Sequence, residues 1–442
     1  MRIAIITLQL HTNCGGVLQA YALERVLADM GHTVEIVRTD EIVPVPKGLR
    51  AIWKYSMRSL RRMLGQKDVE VRREERINAE FPSVGKNYIE FFDKYLSVRN
   101  IHSFNDIRPG EYDAFVVGSD QVWRPLYNPY LLDSYLDFAR GWNVRRVAYA
   151  VSFGTSDWEY SSSETKKAAE LACLFDALSF REESGCRLCR EHLGLEPVVT
   201  LDPTLLLTAE DWTGLLQETD DGCGSDSEAG KPGGSMPAAD KCDGSDMCDA
   251  ADVSARGCRI FEYILDSKEK SALESLESAV CMEYGTENSA DGAAISRFPE
   301  SDPRGRGPVV NRVQSSPLTW LRKLYEADFV ITDSFHACVF SIIFHKKFAV
   351  LKNAGRGSSR ITDLLALVGL SYSAAPDDGQ TAKKSLAVND GDAACEMTVA
   401  DFRRGNCILY DNLNCCIDWE AVDAKLDRLR KSSLDYLRTN LQ

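Results

Sequence analysis

Long apolar runs, surplus positive charge and histidine are all scarce in this 442-residue chain. No stretch of 18 uninterrupted apolar residues occurs, which excludes a transmembrane helix, since crossing the hydrocarbon takes about 20. The formal net charge is −14, the wrong sign for a protein whose main partner is nucleic acid. Only six histidines are present, so few residues can titrate near neutrality without help. Cysteine is not scarce, at fourteen, but it lacks paired metal spacing. Cys223, Cys242, Cys248 and Cys258 form no tight pairs, and Cys186-x-x-Cys189-x-x-His192 lies in a helical stretch with no second pair nearby. No metal site or other cofactor is expected from them. Residues 1–7 are too short and strand-like for a signal peptide, so reduced thiols and a cytoplasmic location are expected.

The chain is long enough, with 44% apolar residues, to fill two α/β domains. Strand patterns recur at 3–8, 34–37, 114–117, 146–152, 178–180, 198–201, 260–265, 329–332 and 348–351, and helical periodicities separate many of them. Alternation of this kind implies parallel, doubly wound sheets. The expected organisation is an N-terminal Rossmann-like domain over 1–165 and a second over 166–410, with one or two closing helices over 411–442. Residues 218–257 hold ten Asp and Glu against Lys231, Lys241 and Arg256, with almost no large apolar residue. They read as a flexible acidic insertion that cannot offset its ordering entropy. A second stretch, 285–314, reads as a loop.

Four places carry chemistry. Residues 329–344 begin as an apolar strand, break at Asp333-Ser334, and resume as a helix with His336 at the turn. Ligands in open α/β sheets bind beyond the carboxyl ends of strands, so His336 is a candidate acid or base. A capping or core histidine is the competing reading. Asn13-Cys14-Gly15-Gly16 opens the first helix, where glycines allow close approach and free N–H groups attract anions. It lacks Gly-x-Gly-x-x-Gly spacing, and a tight turn without ligand is the alternative. Gly118-Ser119-Asp120-Gln121-Val122-Trp123 follows strand 114–117. There Asp120 is placed to accept a hydroxyl proton and Trp123 to stack on a sugar face, against a plain helix or turn cap. Arg181 and Arg360 stand near sheet edges, where a planar guanidinium fork suits phosphate or carboxylate; pairing with a neighbouring Glu is the commoner fate.

Taken in order, these segments resemble the polysaccharide pyruvyl transferase family. The resemblance rests on residues 12–23, on Gly118 to Trp123, on residues 145–154, on Ser179-Phe180-Arg181-Glu182, on Leu201-Asp202-Pro203-Thr204 and on Thr332-Asp333-Ser334-Phe335-His336. It implies two Rossmann-like domains in a GT-B-like arrangement with a C-terminal helical segment. It also implies transfer of pyruvate from phosphoenolpyruvate to two sugar hydroxyls, giving a cyclic ketal and phosphate. His336 would then be the acid, Asp120 a base, and Arg181 and Arg360 the donor clamps. Ser334, Asn13, Gly15, Gly16, Ser119 and Trp123 would line the substrates. The acceptor would be a sugar or lipid-linked glycan. The chain departs from the family pattern at Ser334, where some branches carry arginine, at Ala337, where many carry glycine, and at Cys14, where an aromatic is common.

Two other functions stay open: a nucleotide-sugar glycosyltransferase of the same fold, and a silent glycan-binding or scaffold protein. Residues 49–64 add a basic amphipathic helix. Leu49, Ile52, Trp53, Leu60, Met63 and Leu64 share one side, and Arg50, Lys54, Arg58, Arg61 and Arg62 lie largely elsewhere. Such a helix suits either peripheral contact with the inner face of a membrane or packing on the protein with a solvated basic face.

Overall fold

The computed structural model describes residues 1–218, 258–265, 293–298, 308–351, 359–373, 383–387, 394–398, 407–410 and 417–442. The first block is a seven-stranded sheet of β1 (Arg2–Ile6), β2 (Thr33–Thr39), β3 (Val98–Ile101), β4 (Ala114–Val117), β5 (Arg145–Val151), β6 (Ala177–Phe180) and β7 (Val198–Val199). Its order is β3-β2-β1-β4-β5-β6-β7, and its pairings are parallel. Helices α1 (Cys14–Asp29), α2 (Gly48–Met63), α3 (Arg73–Val84), α4 (Lys86–Tyr95), α5 (Ser162–Ala172) and α6 (Glu183–Leu193) connect it. Strands covered on both faces read as apolar runs rather than alternations, and β4, Ala-Phe-Val-Val, is buried throughout.

The second block follows α7 (Ala209–Gln217). It contains β8 (Cys258–Tyr263), β9 (Ala293–Phe298), α8 (Pro317–Glu326), β10 (Phe329–Thr332), α9 (Phe335–Ile343), β11 (Lys347–Leu351), α10 (Ser359–Leu367), β12 (Ser371–Ser373), β13 (Lys383–Ala387), β14 (Ala394–Thr398) and β15 (Cys407–Tyr410). The sheet order is β15-β11-β10-β8-β9, with β8 to β11 parallel and β15 antiparallel at the edge. Strands β12, β13 and β14 form a small antiparallel sheet. A final helix, α11 (Trp419–Asn440), ends the chain.

Two expectations change. Strands β6 and β7 pair onto the first sheet, so the passage between sheets comes after residue 199 rather than at 165. The stretch 285–314 is not all loop, because β9 pairs along β8 from Ala293 to Phe298. Its glycine- and proline-rich flanks mask the strand. Residues 411–442 contain one helix among the described residues. The acidic insertion lies outside the described residues, apart from Glu218 at its start.

The two blocks share one core. Helix α9 is buried at all nine positions, because it is apolar on every side and so has no face to give to water. Phe340 of α9 meets Trp212 of α7 at 5.0 Å and Trp320 of α8 at 5.7 Å, while Trp212 also reaches Tyr21 of α1 at 5.8 Å. Emptying Phe340, Trp212 or Trp320 to alanine costs about 3–5 kcal/mol. Helix α11 crosses back over both blocks. The Tyr436 hydroxyl donates to the Ala148 carbonyl at 3.0 Å, and the Leu201 amide donates to Ser433 Oγ at 3.0 Å. At the helix's other end, Trp419 stacks on His345 at 4.6 Å. Two mainly parallel α/β blocks closed by a returning C-terminal helix make the GT-B-like arrangement. No helix among the described residues is long and apolar enough to cross a membrane.

Candidate functional site

Each sheet reverses its strand order once, between β1 and β4 in the first and between β8 and β10 in the second. Such switch points open a crevice beyond the carboxyl strand ends. Here the two crevices meet. Helix α1 leaves the first and α9 leaves the second, and their first turns touch. A Cβ added to Gly15 would lie 2.2 Å from His336 Nδ1. Only glycine lets α1 approach the imidazole this closely. One at Gly16 would lie 3.0 Å from Asn13 Nδ2 and 3.5 Å from Asp120 Oδ2.

Asp202, just past β7, is the hub. Its Oδ2 accepts from Arg181 Nη1 at 2.9 Å and from Ser119 Oγ at 3.1 Å. Its Oδ1 accepts from the Thr204 hydroxyl at 2.7 Å and the Thr204 amide at 3.1 Å. His336 Nε2 stands 3.7 Å from Asp202 Oδ2. That is an ion-pair distance for a protonated ring and too long for a hydrogen bond. This buried Nε2 has no hydrogen-bond partner among the described residues. A buried polar atom without a partner costs free energy, so it points to a missing ligand or to chemistry.

Arg181 is wholly buried and faces three carboxylates: Asp202, Asp120 at 3.1 Å and Glu182 at 3.4 Å. The Phe335 ring lies under its guanidinium at 4.3 Å, and Arg360 approaches the same ring at 5.8 Å. Burial opposes ionisation of Asp202, yet His336, Arg181 and Thr204 together hold its carboxyl well below the usual carboxylate range. Burial is likewise outweighed at Asp120 by Arg181, His336 and Arg360, which lower it. At Glu182 burial prevails over Arg181 and Ser152 and pushes the carboxyl up. Burial and the repulsion of Arg181 bring Arg360 down to about 10, which leaves it cationic at neutral pH.

The expected residues therefore divide. His336, Asp120, Arg181, Arg360, Gly15 and Gly16 come together. Ser119 is buried with them, but its hydroxyl is engaged by Asp202 and the Ala150 carbonyl, so it braces the loop rather than lining a substrate. Asn13 sits at the start of α1, where its carbonyl accepts from the Val17 amide. Ser334 begins α9, and its amide donates to Thr332 Oγ1. Trp123 is a correction: it has no exposed surface, stacks on Tyr135 at 4.3 Å and donates to the Ser134 carbonyl. It is core and offers no face to a sugar. The structure also weakens Asp120 as a base, since a carboxylate held down by an arginine is a poor proton acceptor near neutrality.

Asp202, Glu182 and Gln19 were not among the expected site residues. Gln19 accepts from the Ser119 amide at 3.1 Å and donates to Thr7 Oγ1 and the Gly16 carbonyl, fixing the loops after β1 and β4 to α1. An aspartate after a strand and before Pro203 was the signal available for Asp202. Among the described residues no cluster of His, Cys, Asp or Glu could hold a metal ion.

Comparison with known proteins adds the family. Residues 13–355 match the family described as polysaccharide pyruvyl transferase. No curated protein matches the sequence. Among solved structures, the chain is similar to a UDP-GlcNAc 2-epimerase from Neisseria meningitidis bound to UDP-GlcNAc, with 10% identity, 82% of this chain and 86% of that one covered, and a TM-score of 0.39. It is similar to UGT89C1 of Arabidopsis thaliana complexed with quercetin, with 10% identity, 83% of each chain and a TM-score of 0.37. The spinosyn rhamnosyltransferase SpnG gives 15% identity over 84% and 86%, with a TM-score of 0.30. Likeness at this level carries neither a donor nor an acceptor across to this chain.

Proposed function

The chain belongs to the polysaccharide pyruvyl transferase family, and from that premise we propose that it moves pyruvate from phosphoenolpyruvate onto two hydroxyls of a sugar in a cell-surface glycan precursor. The observation that carries the reading is His336: an imidazole between two α/β blocks, packed on Gly15, with Asp202 3.7 Å from an Nε2 that lacks a hydrogen bond among the described residues.

The reaction needs one proton in and two out. His336 Nε2–H delivers a proton to the methylene carbon of phosphoenolpyruvate, making the methyl group and leaving positive charge on the central carbon. The first sugar hydroxyl bonds to that carbon and passes its proton to the now neutral His336. The bond from carbon to the phosphate oxygen then breaks, and the second hydroxyl closes the ketal. Its proton departs with phosphate. No redox change occurs. Asp202 orients the ring and supplies its counter-charge. Asp120 and Arg181 form the fixed electrostatic wall, and Arg360 is the cation assigned to the donor's phosphate or carboxylate. Thus Asp120 moves from base to positioning residue. The acceptor is a free or lipid-linked glycan.

The test is acceptor-dependent release of phosphate from phosphoenolpyruvate, with the ketal identified by mass. His336→Gln keeps polarity without the titrating nitrogen, so turnover should fall by roughly a hundredfold or more while donor binding stays near that of the wild type. Wild-type turnover in that variant rejects the assignment. A wild-type protein that neither binds phosphoenolpyruvate nor releases phosphate with a broad glycan panel rejects the donor.

A further inference from the structure

Helix α2 is mounted with its polar side inward. Ala51, Lys54, Tyr55, Arg58 and Ser59 are the partly covered positions, and they fall on one side of a 3.6-residue helix. That side docks on α3. Arg58 forms a two-point pair with Glu74 at 2.6 and 2.8 Å, Lys54 reaches the same carboxylate at 2.9 Å, and Tyr55 donates to Glu75 at 3.1 Å. Glu74 is buried, and although burial opposes its ionisation, Arg58 and Lys54 hold it at about 2.

The opposite side carries the apolar residues. Leu49 is 85% exposed, Ile52 64%, Trp53 68%, Leu60 49% and Met63 83%. With Met57 and Leu64, this helix and the residue after it hold seven of the fourteen exposed large apolar side chains among the described residues, so the patch is contiguous rather than scattered. Patches of this kind on soluble proteins mark interaction surfaces.

Charge selects the partner. From Lys47 to Leu64 there are six cations, Lys47, Arg50, Lys54, Arg58, Arg61 and Arg62, and no acid, in a chain of net charge −14. Glu74 takes up two of them. Lys47, Arg50, Arg61 and Arg62 stay exposed. An apolar stripe with an indole, bordered by exposed cations, of which Lys47 reaches Glu41 at 3.6 Å, matches the interfacial zone of a bilayer with anionic headgroups.

We propose that α2 seats the protein on an anionic membrane surface, apolar side down, while its Lys54–Arg58–Glu74 contacts hold the helix to the domain. The proposal rests on α2 alone and not on the reaction. It concerns a helix that follows β2, a strand of the same sheet that carries Asp120 and Arg181. If the acceptor is lipid-linked, this end of the molecule is where the carrier would meet the protein.

The experiment uses the full chain with vesicles of phosphatidylcholine, with and without phosphatidylglycerol. At low salt the protein should co-sediment with the anionic vesicles alone, and Trp53 emission should shift blue, the signal being absent in Trp53→Phe. Arg61→Gln with Arg62→Gln should lower the bound partition by on the order of thirtyfold. Leu60→Gln should lower it as well, and both variants should keep wild-type turnover on a soluble acceptor. Absence of co-sedimentation at low salt overturns the proposal. So does a dimer in solution that Leu60→Gln dissociates, which would assign the patch to a second copy.

Discussion

Asp202 and Trp53 stand where the other type of residue normally stands: a carboxylate 2% exposed and an indole 68% exposed. Around the first, charges are folded into the wall between two domains. Around the second, apolar side chains are held out in water by ion pairs on the far side of their own helix. Both arrangements cost stability against a conventional distribution. Local rules are broken in natural proteins mainly where function requires it. The difference between the regions lies in coupling. The cleft charges compensate one another, so each depends on the rest, whereas the apolar side chains on the outer face of α2 stand exposed.

The strongest way to break the cleft is to remove its central cation. Arg181→Met leaves Asp120 and Asp202 buried without their partner, and breaking such a network costs about 3–5 kcal/mol. Urea denaturation should register that loss, and activity should fall with it. Acid should reproduce it in the wild type. Asp120 and Asp202 are held below the ordinary carboxylate value, so their stabilisation is complete above about pH 4 and drains as pH falls below it. Glu182 runs the other way: burial raises its carboxyl, so its ionisation costs stability as pH rises past the ordinary glutamate range. Glu182→Gln should be the mildest change in the cluster. Melting temperature followed against pH for wild type, Asp120→Asn, Asp202→Asn and Glu182→Gln checks all three signs.

A smaller effect comes from Gly15→Ala. The added methyl group would meet the imidazole of His336 at 2.2 Å, so the ring or the first turn of α1 must shift. Overpacking of this kind costs about 1–3 kcal/mol. Turnover should suffer beyond that loss, because the displaced ring carries Nε2, the proposed proton donor. Wild-type turnover with lowered stability would make Gly15 a packing residue only.

Much of the cleft was legible in the sequence because its loops interrupt apolar strands with small and acidic residues. Gly118-Ser119-Asp120 after β4 and Asp333-Ser334 after β10 are visible for that reason. What chain order cannot supply is which loops meet. Asp202 follows a strand of only two residues, and no local feature announces that it reaches His336. Trp123 misled because an aromatic beside a motif reads alike whether it faces solvent or, as here, stacks on Tyr135. Strand β3, Val-Arg-Asn-Ile, is a part-exposed edge with little apolar signal. The amphipathicity of α2 was plain from spacing, but its orientation was not: the same pattern fits a helix docked by either face, and only the Glu74 contacts decide.

The smallest expected effect sharpens the comparison most. Leu60→Gln alters a side chain 49% exposed on a helix with no buried residue, so folding stability should change by no more than about 0.5 kcal/mol. Phe340→Ala, which empties a fully buried position between Trp212 and Trp320, should cost about 3–5 kcal/mol. Measured side by side in urea, the pair asks whether the apolar face of α2 contributes to the fold at all. A loss of several kcal/mol at Leu60 would mean that this face is covered within the chain, and the membrane proposal would lose its surface. A loss near zero leaves seven large apolar side chains that the fold does not need, and their retention then has to be explained by what they touch outside it.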